Sequence, residues 1–253
     1  FHEMLHSITT VGYRTNYNTG KVEHNFYTGF YQYTEIENAQ GETIEEYRFG
    51  RGLNEGMTEK IMKDIFGKAE SYNYERKICD VLELIIGEKT LRHAYFKADL
   101  ESVMNKLAST EEEKEEFKRF IKYLDYVNSV NNNFNILIPH VRKNIKIAKE
   151  AISEYLTKVF SKYLMNSFEF KMSIKLNDKT IKEMQEFEIK KFYKAMSDIG
   201  SKNILRTLRS HIKEYEKQEK QEKEEEQKEL ERVREVEIDE IPLMVLLRKN
   251  DLS

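Results

Sequence analysis

The first six residues, Phe1-His2-Glu3-Met4-Leu5-His6, restrict this chain more than any later stretch. They read H-E-x-x-H, and on a helix the i, i+4 spacing stacks His2 and His6 on one face, one turn apart. Two imidazoles placed in this way can reach one Zn²⁺ ion. Glu3, about a third of a turn round from His2, can hold and deprotonate a water at the metal without being a ligand itself. Met4 and Leu5 are apolar, as a helix with one side against a core requires. The same five residues also fit a surface helix with two unrelated histidines. A metal reading therefore needs a third ligand elsewhere in the chain.

The sequence bears on what kind of ligand that is. A metzincin continues as H-x-x-G-x-x-H, but Thr9 stands where the glycine belongs and Gly12 where the histidine belongs, so that class is excluded. Downstream, Asn54-Glu55-Gly56-Met57-Thr58-Glu59 reads N-E-x-x-T-E. This resembles the N-E-x-x-[ST]-[DE] helix of gluzincin metallopeptidases, the thermolysin-like group. The resemblance implies that Glu55 is the third zinc ligand. It also implies that Glu59, one turn further on the same face, accepts a hydrogen bond from a ligand histidine. On their own, Glu55 and Glu59 equally suit a solvated helix start, where acidic residues are favoured.

The resemblance further implies an activity and a set of partners. A chain of this kind is a zinc metallopeptidase acting on a peptide or protein substrate, with Glu3 as the general base. Gluzincins also supply a Tyr or His that hydrogen-bonds the oxyanion of the tetrahedral intermediate. Tyr74 is the residue assigned here, with Tyr72 and His93 as the other candidates, because the segment after the ligand helix can fold back over the metal. Each of the three also suits ordinary packing. His24 reads as a solvent-facing strand histidine, and His140 and His211 receive no role.

Between the two motifs the chain reads as β structure. Gly29 to Ile36 and Thr43 to Phe49 are aromatic and β-branched runs, joined by a glycine-containing turn at 37–41. The order H-E-x-x-H, a Gly-Phe hairpin, then the Leu53-Asn54-Glu55 helix is similar to a group of bacterial zincin-like proteins. The chain opens at Phe1, inside the helix that bears the histidines. The expectation is therefore that a sheet with its substrate-binding edge strand lies upstream, with any signal peptide, and the compartment stays open.

After the motifs the pattern is helical. Met57, Ile61, Ile65, Met62 and Phe66 extend the Glu55 helix, and Tyr72 to Ile86 forms another that ends at Gly87. Helices at 88–98 and 100–107 follow. Thr110 with Glu113 forms a capping box, and Pro139 opens a long helix to about Met165. Phe168 to Leu176 alternates strictly and reads as a strand. Asn177-Asp178 caps a helix to Ile199. From His211 to Arg234 the residues are almost wholly Glu, Lys and Gln, with i, i+4 pairs such as Glu216–Lys220, Glu219–Lys223 and Glu224–Lys228 but no apolar seam. An apolar patch, Ile241 with Met244 to Leu247, lies beyond.

The fold expected is α+β and mostly α-helical: the C-terminal catalytic part of a zincin at 1–107, a helical region at 108–210 and a charged tail at 211–253. The tail has no stripe to pack on the zinc site, so it is a candidate for a protein partner. The alternative function is a catalytically incomplete zincin-like module whose helices bind or support another protein. Net charge is −3, with cations and anions interleaved, which gives no case for nucleic acid. No apolar run is long enough to span a bilayer. The single cysteine, Cys79, permits no disulfide within the chain.

Overall fold

The computed structural model describes residues 1–18, 20–67, 71–131, 138–173, 178–197, 199 and 204–240. The elements run α1 (His2–Ile8), β1 (Thr10–Asn18), β2 (Lys21–Thr28), β3 (Tyr31–Asn38), β4 (Thr43–Phe49), α2 (Arg51–Phe66) and α3 (Asn73–Ile86). They continue with α4 (Glu88–Phe96), α5 (Leu100–Leu107), α6 (Glu111–Asn131), α7 (Pro139–Ser173), α8 (Asp178–Met196) and α9 (Ile204–Glu240). The class is α+β and mostly helical, as the sequence implies. The β structure is larger than one hairpin: β1 and β2 precede the two expected strands, and all four form an antiparallel meander in the order β1-β2-β3-β4. Asn38 shapes the β3–β4 turn, its side-chain oxygen accepting the amides of Gln40 and Glu42 at 3.0 Å.

The chain divides into two compact units, Phe1–Leu208 and Arg209–Ser253. At the centre of the first is α2, in which every residue from Gly52 to Ile61 is buried. A helix covered on all sides cannot show the one-sided stripe of a surface helix, so its polar residues must find partners inside. Lys60 does so with Asp80 at 2.8 Å and Glu83 at 3.2 Å, both on α3. Small residues let the neighbours close in. A Cβ on Gly56 would lie 2.5 Å from the backbone carbonyl of Glu75 on α3, so only glycine fits at that crossing. Met57 and Ile61 are buried as the pattern implies, but Ile65 and Phe66 are exposed, because α2 leaves the core in its last turn.

Around α2, the core is completed by Ile78, Val81 and Leu82 of α3, Leu91 and Tyr95 of α4, and Phe117, Phe120, Ile121 and Leu124 of α6. The capping box opens α6 as expected, with Thr110 Oγ1 accepting the Glu113 amide at 3.2 Å and Glu113 accepting the Thr110 amide at 3.3 Å. On α7, Ala148, Ile152, Leu156 and Val159 are buried, while Val141 and Ile145 of the same helix face are half-buried. Cys79 is a buried free thiol, pushed up by its burial.

One expectation is overturned. Phe168 to Ser173 is the end of α7 and not a strand; the apolar alternation there sits on a helix already running from Pro139. Residues 174–176 of that run, the cap at Asn177 and the apolar patch at 241–247 lie outside the described residues. In the second unit the backbone is helical to Glu240. Its side chains up to Arg232, where described, are largely exposed, with pairs such as Lys220–Glu224 at 3.9 Å. The side chains of Glu216 and Glu219 lie outside the description. Among the described residues no helix is long and apolar enough to cross a membrane.

Candidate metal centre

The site is built from two short pieces of chain far apart in sequence. His2 and His6 stand one turn apart on α1, and Glu55 stands one turn into α2. A helix as short as α1 needs external support, and the sheet supplies it. Thr9 ends α1 with its hydroxyl on the carbonyls of Leu5 and His6, each at 3.1 Å. Thr28, at the end of β2, donates to the same His6 carbonyl at 2.9 Å, and the Gly29 amide donates to Thr9 O at 3.1 Å. The β2–β3 turn, Gly29-Phe30, then meets α2: the Phe30 amide donates to Asn54 Oδ1 at 2.9 Å. Gly29 has a φ of 53°, and a Cβ there would collide with that same Oδ1 at 2.1 Å. The first helix is thus fastened to the Glu55 helix through the sheet.

Three ligand atoms converge as a result. His2 Nε2 lies 2.9 Å from Glu55 Oε2, His6 Nε2 lies 3.3 Å from it, and the two Nε2 atoms are 3.1 Å apart. Tetrahedral zinc with ligands at about 2.0–2.1 Å sets its donors about 3.3 Å apart, so this triangle fits one ion with little movement. Among the described residues these three form the one His/Cys/Asp/Glu group close enough to hold a metal. The side chains of His2 and His6 retain 24% and 19% of their exposure, so the triangle is covered on the protein side and reachable from solvent.

The electrostatics of the metal-free cluster follow from its contacts. Burial works to raise the Glu55 carboxyl, but the hydrogen bonds from His2 and His6 outweigh it and hold Glu55 at about 2. His2 is raised in turn, by its hydrogen bond to Glu55 and against its own burial. One carboxylate oxygen shared by two ring N–H groups is the arrangement that a divalent cation replaces, releasing protons as it binds.

Behind the ligand nitrogens stands a second layer. Glu59 Oε2 lies 3.5 Å from His2 Nδ1, and its Oε1 accepts the Ser71 amide at 3.0 Å. Asn54 Nδ2 lies 3.1 Å from His6 Nδ1. The Nε of Arg51, one turn before Glu55, lies 3.7 Å from Glu55 Oε1. Glu59 can accept from Nδ1–H of His2, the usual means by which a ligand ring is oriented, whereas Asn54 Nδ2 is itself a donor and pairs with the His6 tautomer protonated at Nε2.

The structure brings His2, His6, Glu55 and Glu59 together. Glu3 is exposed on α1, where its charge is felt at His2. Among the described residues Tyr74 has Lys149 Nζ 4.4 Å over its ring, and its buried hydroxyl has no hydrogen-bond partner. Tyr72 instead stacks on His2, with ring centroids 5.6 Å apart. His93 is exposed on α4, and His24 is engaged on the sheet by Thr15 at 3.2 Å and Glu37 at 3.4 Å. Asn54 received no role from the sequence. Its position directly before Glu55 turns it to a different side of α2, and only the β2–β3 turn and His6 reveal what it does there.

Comparison with known proteins adds no relative to this geometry: no family model, no curated protein and no solved structure matches the chain.

Proposed function

We propose that this chain carries a zinc metallopeptidase centre in which His2, His6 and Glu55 hold the ion. The observation that carries the reading is the convergence of three donor atoms within 3.3 Å of one another from residues 49 and 53 positions apart, with the Glu59 carboxylate behind His2. The likeness of N-E-x-x-T-E to the gluzincin helix supports the same assignment. Bound zinc supplies a Lewis acid that lowers the pKa of a water towards about 7 and polarises a carbonyl. Glu3, the exposed carboxylate beside His2, takes the proton of the attacking water and returns it to the leaving amine, so one group serves as base and then acid. Glu59 orients the His2 imidazole, and Arg51 holds the outer oxygen of Glu55.

The substrate class is a peptide or protein. The exposed, charged helix of the second unit offers a surface for a protein partner and plays no part in this chemistry. The test is Glu3→Gln. Zinc content should stay at one per chain while peptide hydrolysis falls by at least about 10²-fold, the usual share of a general base. Hydrolysis unchanged in E3Q defeats the mechanism. Full zinc content without hydrolysis in the wild type favours the alternative, an interaction module built on an inactive zincin-like core.

A further inference from the structure

The two ligand histidines are held by different means. His6 has a hydrogen bond from Asn54 at 3.1 Å, and its own carbonyl is tied to Thr28 at 2.9 Å. His2 stands at the first position of α1, where helices fray, and its Nδ1 is 3.5 Å from Glu59, longer than a full hydrogen bond. What lies on the His2 ring is the ring of Tyr72, at 5.6 Å between centroids and 23° between planes.

Tyr72 occupies an unusual backbone state. Its φ of 44° and ψ of 34° are left-handed, a conformation that L-residues with a bulky side chain avoid. Among the described residues only Ala98 shares a positive φ without being glycine. The strain is held by what surrounds it. Tyr72 O accepts the Arg76 amide at 2.9 Å, which starts α3, and α3 is locked to α2 by the Gly56–Glu75 contact. The residue before it, Ser71, donates its amide to Glu59 Oε1 at 3.0 Å, while Glu59 Oε2 faces His2. The turn thus reaches His2 twice, once through Glu59 and once through the tyrosine ring. Backbone strain retained next to a cluster of ligand atoms is a sign that the local geometry serves that cluster.

We propose that the Ser71-Tyr72 turn is a clamp that fixes the His2 imidazole in its metal-binding orientation, with Tyr72 as a positioning residue acting through the face of its ring. The inference rests on the zinc reading above and adds to it a residue outside both motifs. Tyr72 acts on the His2 ring and is not one of the three donors. Its effect is to remove the freedom of a side chain on a fraying helix turn, so the ion does not have to order that side chain on binding.

Two measurements on the full chain test it. The first is a double-mutant cycle on the metal-free protein, with His2→Ala, Tyr72→Ala and the double variant unfolded in urea. The stack should appear as a coupling of about 2- to 10-fold in the folding equilibrium constant. The second is zinc affinity by competition with a chromophoric chelator. Y72A should bind about 10-fold more weakly than wild type, while Y72F, which keeps the ring, should stay within about twofold. Alanine leaves the left-handed backbone requirement in place, and Y72F keeps the test valid if Y72A does not fold. No coupling in the cycle overturns the clamp, as does equal zinc affinity in wild type and Y72A. Y72F as weak as Y72A overturns it too, because the hydroxyl and not the ring would then matter. Those results leave the zinc reading standing. A wild-type chain that takes up no zinc, with the coupling present, overturns the zinc reading and with it the metal role of the clamp.

Discussion

Replacing Asp125 tests how the first turn of α2, and with it Glu55, is held in place. Asp125 belongs to α6, yet its two carboxylate oxygens accept the backbone amides of Gly50 at 2.8 Å and Gly52 at 2.7 Å. It does from a distance what an N-cap side chain does locally, since Gly50 has no side chain to cap with. Alanine removes both acceptors, which should cost about 0.5–2 kcal/mol for the cap. Losing the negative charge at the positive end of the helix adds up to about 1 kcal/mol. Burial acts in the opposite sense: it pushes the carboxyl up to about 6 from an ordinary 3.8, in spite of the two amides and the Arg51 guanidinium. The folded chain therefore holds this proton more tightly than the unfolded chain. The stability that Asp125 contributes is fully present below pH 3.8 and is lost as pH rises through about 6. A rise of roughly two units corresponds to at most about 3 kcal/mol. Asparagine keeps one acceptor oxygen and drops the charge. Its NH2 group then faces the second amide as donor against donor, so D125N, like D125A, should fall about 1–2 kcal/mol below wild type near pH 7. Wild type should then gain on D125N, by up to about 3 kcal/mol, as pH falls towards about 4. Urea unfolding of the three proteins across that window measures this. A difference between wild type and D125N that stays flat, or runs the other way, refutes the reasoning.

Gly56→Ala should destabilise by about 1–3 kcal/mol in chemical unfolding, because overpacking against the Glu75 backbone outweighs the helix-propensity gain of about 1 kcal/mol. Stability equal to wild type would mean that α2 and α3 do not cross as closely as described. Asn54→Ala leaves the Phe30 amide without its acceptor and should cost about 1–3 kcal/mol in chemical unfolding. Stability equal to wild type would mean that this amide finds another acceptor.

How much of this was legible depends on whether spacing alone fixed the contact. His2 with His6, and Glu55 with Glu59, are i, i+4 pairs, so each pair shares a helix face wherever the rest of the chain goes. Asn54 and Tyr72 have no such constraint. Asn54 matters because the β2–β3 turn happens to arrive beside it, and Tyr72 because a left-handed residue turns its ring back on His2. The burial of α2 on every side was hidden for a related reason: Thr58, Glu59 and Lys60 look like a solvated face until α3 and the Ser71-Tyr72 turn cover them. Phe168 to Ser173 misled in the opposite direction. Its period-two alternation is a strand signal only when no helix is already running into it, and α7 is. The four-stranded meander was half visible, since Tyr31–Asn38 and Thr43–Phe49 carry dense aromatic and β-branched runs while β1 is diluted by glycine and asparagine.

The central claim is that one zinc ion is held by two imidazoles and one carboxylate, with a side open to solvent. X-ray absorption at the zinc edge of the stoichiometrically loaded chain tests it most directly. One zinc per chain is expected, with a shell of nitrogen and oxygen donors at about 2.0–2.2 Å and the multiple-scattering signature of two histidines, weakened in His6→Ala. Absence of stoichiometric zinc, a sulfur donor at about 2.3 Å, or a spectrum that His6→Ala leaves unchanged would contradict it.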